Sequence, residues 1–151
     1  MTVKPIPDGY HSVTPYLAIR NATAALAFYQ KAFGAQELLR MPKPDGGIAH
    51  AEIKIGDSII MLADEHPEMD FVGPETRGGA TSTLMIYVED VDAQFKRALE
   101  AGATQVRELK DEFYGDRAGS VRDPFGHMWH LATHKEDLTP EEIQKRIEAM
   151  G

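Results

Sequence analysis

The sequence contains no cysteine, which excludes disulfides, thiolate metal centres and thiol nucleophiles together. No apolar run approaches the roughly 20 residues that a membrane-spanning helix requires. The opening, Met1-Thr2-Val3-Lys4-Pro5, has no apolar segment of the kind a secretory signal carries, so the expected location is cytoplasmic. Positive charge is scarce: 16 Lys and Arg stand against 24 Asp and Glu, a formal charge of −8. Nucleic acid and anionic membranes both need a basic face, so neither is expected as a partner. No glycine-rich phosphate loop is present; Gly46-Gly47 and Gly78-Gly79 are isolated pairs in turns. Ser58, Ser82 and Ser120 show no His and Asp partnership in the sequence, which argues against nucleophilic serine chemistry. What remains is ordinary. The chain has 151 residues, 42% of them hydrophobic, enough for one compact domain or two small modules sharing a core.

Periodicity orders the first half as β-α-β-β-β. Val13 to Ile19 reads as a strand, and Asn21 caps a helix over Ala22 to Phe33. In that helix Ala25, Leu26, Tyr29, Ala32 and Phe33 recur on one face and Gly34 supplies the stop. Gln36 to Met41 is a strand, Pro44-Asp45-Gly46-Gly47 a turn, and His50 to Ile55 a strand in which Ala51, Ile53 and Ile55 alternate with His50, Glu52 and Lys54. Gly56-Asp57 then turns the chain into an apolar strand, Ser58 to Ala63. Residues 65 to 81, polar and rich in Pro and Gly, read as a linker.

The same order then returns. Leu84 to Val88 is a strand, Asp90 caps a helix over Val91 to Ala101, and Gly102 ends it. Thr104 to Leu109 and Ala118 to Arg122 are strands, Asp123-Pro124-Phe125-Gly126 is a hairpin turn, and the last strand runs from His127 to about Thr133. Asn21 falls on Asp90 and Gly34 on Gly102, which supports an internal repeat. Thr139-Pro140-Glu141-Glu142 is a capping box for a last helix over about 139–150, whose Ile143, Ile147 and Met150 form a thin apolar stripe. That stripe packs on the body or on a second subunit.

Several ordered segments resemble the vicinal-oxygen-chelate superfamily (glyoxalase, bleomycin-resistance protein, dioxygenase), and within it the uncharacterised bacterial branch. The carriers are Thr14-Pro15-Tyr16-Leu17, Ala27-Phe28-Tyr29 with Phe33-Gly34-Ala35, and Gly56-Asp57 before an apolar strand. In the second half they are Val88-Glu89-Asp90-Val91-Asp92, Gly102-Ala103, Tyr114-Gly115-Asp116-Arg117 and Asp123-Pro124-Phe125-Gly126-His127. The resemblance spans about residues 11 to 134. It implies an α+β fold of two βαβββ modules, about 11–64 and 82–134, within a single domain over 1–151. Together the modules would form a curved mixed β-sheet cup with helices outside, assembled as a homodimer.

In metal-dependent relatives the cup holds a divalent ion on His or Glu from the first and last strand of each module. That ion takes two substrate oxygens and stabilises the anion formed. Carried over by position, those sites fall here on Thr14, Met61, Thr83 and His130. Three of the four are poor ligands for a hard or borderline dication, so the resemblance implies no cofactor at the usual place.

The residues themselves leave alternatives open. By alternation Tyr16 shares a face with Thr14, Met85 with Thr83, and Met128 with His130. With Met61, and Trp129 as a further contributor, they would line an apolar pocket with a few polar handles, or serve as plain core. Arg117 would project into the cavity mouth to receive a carboxylate or phosphate, or would pair with Asp116 or Asp123. His50 and Glu52 face one side of their strand. They would either join His11 or His130 in a rearranged metal site, or lie on a solvated face or make a local hydrogen bond. Two functions follow: a metal-independent protein binding a small molecule, favoured by the weak donor set, or a lyase, isomerase or dioxygenase using a divalent metal on His11, His50, Glu52 and His130.

Overall fold

The computed structural model describes residues 2–151. The chain divides into two compact units, one ending at Ala80 and the other running from Thr81 to Gly151.

The first unit is built from β1 (Tyr16–Ile19), α1 (Ala22–Phe33), β2 (Gln36–Pro42), β3 (Ile48–Ile55) and β4 (Ser58–Asp64). Its sheet is open, in the order β1-β4-β3-β2, with β1 parallel to β4 and the other pairs antiparallel. Helix α1 begins where the Asn21 side chain accepts from the Ala24 amide, and it ends on Gly34 at φ 67, a conformation glycine reaches without steric cost. Its buried face presents Ala25, Leu26, Tyr29, Ala32 and Phe33, while Ile19, Ile53 and Leu62 are buried in the strands of the same unit. Each fully buried Leu or Ile here contributes about 1.5–3 kcal/mol of transfer free energy. Strand β1 is shorter than the predicted Val13–Ile19. Pro15 has no N–H for a ladder, although its carbonyl accepts from the Met61 amide at 2.9 Å, and Val13 is exposed.

The predicted linker carries structure of its own. Pro67–Met69 forms a 3₁₀ turn and Pro74–Arg77 a short helix, α2, each started by a proline. Glu65 ties α2 down by accepting from the Gly73 amide at 2.7 Å and the Thr76 hydroxyl at 2.6 Å.

The second unit repeats the plan: β5 (Thr83–Tyr87), α3 (Val91–Ala101), β6 (Thr104–Asp111), β7 (Asp116–Arg122), β8 (Met128–His134) and then α4 (Pro140–Ala149). Its order is β5-β8-β7-β6, with β5 parallel to β8. Asp90 and Gly102 bound α3 as Asn21 and Gly34 bound α1. Gly119 lets β7 lie close under α3, since a Cβ there would meet the Phe95 ring at 2.8 Å. Two βαβββ units are therefore present, and the α+β reading holds. Thr139 caps α4, and Arg146 fastens that helix by donating to Glu136 and to the Phe113 carbonyl. Ile147 and Met150 stay exposed.

Trp129, expected as a contributor to pocket surface, is instead fully buried. Its Nε1–H donates to Asp123 Oδ2 at 2.8 Å, while Asp123 Oδ1 accepts from the Phe125 and His127 amides. Alternation explains the difference: Trp129 points to the face opposite His130 and belongs to the core beneath the hairpin.

Candidate functional site

Strand register sets one row of side chains across each sheet. In the first unit it runs Leu39, Glu52, Met61, Tyr16. In the second it runs Arg107, Ser120, His130, Met85. The two rows occupy corresponding places in the repeat, and registered neighbours share a face of the sheet.

In the second unit Thr83, Met85, Val106, Arg107, Ser120, Met128 and His130 line a recess of about 440 Å³. Four of these seven were expected to contact ligand: Thr83, Met85, Met128 and His130. Ser120 Oγ lies 2.7 Å from His130 Nδ1, and the Tyr114 hydroxyl is 3.5 Å from Nε2. The sequence reading had found no histidine partner for Ser120; adjacent strands supply one. Among the described residues no carboxylate is hydrogen-bonded to His130, so the pair lacks the orienting third group of a hydrolytic triad. Arg107 makes no ion pair within 4 Å among the described residues.

Arg117 behaves otherwise. Its guanidinium makes a two-pronged contact with Asp92, both bonds 3.0 Å, and a further one with Asp111 at 3.3 Å. These partners hold its pKa above the ordinary arginine value. It is absent from the lining of the recess, and its partners are not the predicted Asp116 and Asp123. Arg107, not Arg117, lines the recess. The signal was hidden by irregular pairing on both sides of Arg107, which shifts the in–out phase of β6.

In the first unit Thr14 and Met61 line a recess of about 390 Å³ with Pro5, Ile6, Pro7, Tyr10, His11, Ser12 and Glu52. Glu52 is only 7% exposed, so it lies on no solvated face; the local hydrogen bond expected as the other alternative is the one it makes. Its Oε1 accepts from the Tyr10 hydroxyl and its Oε2 pairs with His50 Nε2 at 2.7 Å. Burial works against the Glu52 charge, but the hydrogen bonds from Tyr10 and His50 outweigh it and hold the carboxyl below its usual range. The Tyr16 hydroxyl lies 2.6 Å from His50 Nδ1. An ionised carboxylate only accepts, so Nε2 carries hydrogen, and in the neutral ring Nδ1 receives the Tyr16 proton donor. Burial, then the Glu52 charge, raise the Tyr16 pKa.

Both nitrogens of His50 are thus engaged. No group of three or more His, Asp or Glu is arranged to hold a metal among the described residues. The positions that the resemblance would assign to ligands carry, in the first unit, the Thr14 hydroxyl and the Met61 thioether and, in the second, the Thr83 hydroxyl and the His130 imidazole, which is bonded to Ser120. Neither pair has the set of imidazole and carboxylate donors that a divalent ion prefers.

The sequence profile of the Glyoxalase/Bleomycin resistance protein/Dioxygenase superfamily matches residues 10–131. The chain is 43% identical over 143 residues to the uncharacterized protein Mb0911c of Mycobacterium bovis, covering 93% of this chain and 94% of that one. Among solved structures it is similar to TioX from Micromonospora sp. ML1, with 31% identity, a TM-score of 0.65, and coverage of 85% and 100% of the two chains. The fosfomycin resistance protein FosX from Mesorhizobium loti shares the fold at 16% identity and a TM-score of 0.61, over 87% of this chain and 95% of that one.

Proposed function

Since the chain belongs to the Glyoxalase/Bleomycin resistance protein/Dioxygenase superfamily, we propose that it binds a small, partly apolar molecule carrying an anionic group, without help from a metal ion. The observation that carries this reading is the recess around Arg107. Thr83, Met85, Val106 and Met128 give it an apolar wall, Ser120 and His130 add hydrogen-bonding atoms, and Arg107 brings a cation with no carboxylate partner among the described residues. Its volume lies within the range of small-molecule pockets. A guanidinium beside apolar walls selects a carboxylate or phosphate by its paired N–H groups. An acidic, cysteine-free chain in which no described helix is long and apolar enough to cross a membrane suits work in the cytoplasm.

The test is a titration of chelator-treated protein with aryl carboxylates and aryl phosphates, followed by backbone amide NMR. Shifts are expected at Arg107, Ser120 and His130, and Arg107→Ala is expected to weaken binding by about ten- to a hundred-fold, the worth of a charged hydrogen bond. Equal binding of neutral analogues, or a requirement for added Zn²⁺ or Mn²⁺, would overturn the reading. The exposed Ile147 of α4 and Met150 at its C-cap support a homodimer. Sedimentation velocity at micromolar concentration is expected to show twice the monomer mass.

A further inference from the structure

The first unit holds an arrangement that the binding reading does not use. Glu52, His50 and Tyr16 are hydrogen-bonded in series, carboxylate to imidazole at 2.7 Å and imidazole to phenol at 2.6 Å. The carboxylate end is buried, whereas the phenol end is 46% exposed. Tyr10 donates to the other carboxylate oxygen and fixes its position. Phe71 meets the Tyr16 ring edge-on at 5.4 Å, and His50 lies tilted against it at the same distance, so the phenol is held from the side. Tyr16 is registered with Met61, and Met61 lines the recess of the first unit.

A base that touches the reacting group, an imidazole within hydrogen-bond reach, and a third group orienting that imidazole is the pattern of a charge-backed relay. We infer that Tyr16, His50 and Glu52 form a metal-independent proton-transfer centre for a small, partly apolar molecule bearing a weakly acidic C–H. In the transfer, the Tyr16 oxygen takes the proton from carbon while its own proton passes to His50 Nδ1. The imidazolium so formed is stabilised by Glu52 through Nε2–H. The substrate keeps the electron pair of the broken C–H bond as a carbanion, or expels it with a leaving group. Return of the proton completes an exchange or isomerisation. No oxidant, reductant or second substrate is required.

The centre rests on different residues from the Arg107 recess, so the two readings fail independently. The probe is nitrobenzisoxazole, a flat, mostly apolar molecule that opens when one C–H proton is removed. The C–H pair becomes the third bond of a nitrile, the N–O bond breaks, and the charge ends on a coloured phenolate. Intact protein, kept in chelator, is expected to open the ring faster than buffer at the same pH. Tyr16→Phe, which deletes one hydroxyl from a half-exposed side chain, is expected to lower kcat about a hundred-fold with little change in KM. His50→Ala is expected to do the same, with both variants keeping the wild-type amide spectrum. Wild-type turnover no faster than buffer, or equal turnover in Tyr16→Phe, would sink the proposal.

Discussion

Set side by side, the two units share a backbone and differ in the chemistry of one row. Leu39, Glu52, Met61 and Tyr16 in the first correspond to Arg107, Ser120, His130 and Met85 in the second. A buried carboxylate dominates the first recess and an arginine without a carboxylate partner the second. The fold tolerates this because its stability lies elsewhere. Ala51, Ile53 and Leu62 in one unit, and Gly119, Val121 and Leu131 in the other, occupy the opposite face and are buried. Those positions must stay apolar and close-packed, while the row on the other face is free to change sign.

The structural devices differ between units in ways that mutation can expose. The largest expected effect is at the second hairpin. Asp123 satisfies the buried Trp129 N–H and two turn amides at once, and the Gly56-Asp57 turn of the first unit records no comparable set. Asp123→Ala is expected to cost about 3 kcal/mol in urea unfolding, because it strands a buried donor and opens the turn. Asp57→Ala is expected to change the midpoint little. Equal losses would erase the asymmetry.

A smaller effect separates the two helix–strand ties. Asp64 accepts from the Ala22 and Ile48 amides, each at 2.9 Å, with Lys43 at 3.3 Å. At the matching place Thr133 accepts from the Val91 amide and donates to the Val88 carbonyl. Burial opposes the Asp64 charge, but the two amides and Lys43 prevail and lower its pKa. A carboxyl with a lowered folded-state pKa adds stability above its unfolded value, and that stability is lost as pH falls through the folded value. Asp64→Asn is expected to cost about 2 kcal/mol at neutral pH. The cost should shrink as urea midpoints are followed into acid. Thr133→Val is expected to cost about 1 kcal/mol, with no such dependence on pH. A pH-independent deficit in Asp64→Asn would refute the electrostatic account.

Much of the fold was legible because it depends on local rules. Asn21 and Asp90 announced helix starts, Gly34 and Gly102 helix ends, and the apolar spacing of Leu26, Tyr29 and Phe33 picked the buried face. The candidate sites were legible only in part. Thr83, Met85, Met128 and His130 fell together as alternation required, but Arg107 was missed because the irregular pairing of β6 breaks that alternation. Arg117 makes the ion pairs that were one of its two expected roles, but with other partners, because Asp92 in α3 and Asp111 in β6 come from elements that only the folded unit brings alongside it. Ser120 met His130 for a similar reason: register across β7 and β8, not spacing along the chain, made them neighbours.

The sequence by itself determined the element order, the caps and the apolar faces, because each depends on residues within a few positions of one another, and the repeat followed from that order. Tertiary structure alone decided which polar side chains meet. Tyr16 with His50 and Arg107 in its recess depend on strand register and irregular pairing, while Tyr10 reaches Glu52 from the segment before β1. A shift of one residue along a strand moves a side chain to the other face of the sheet.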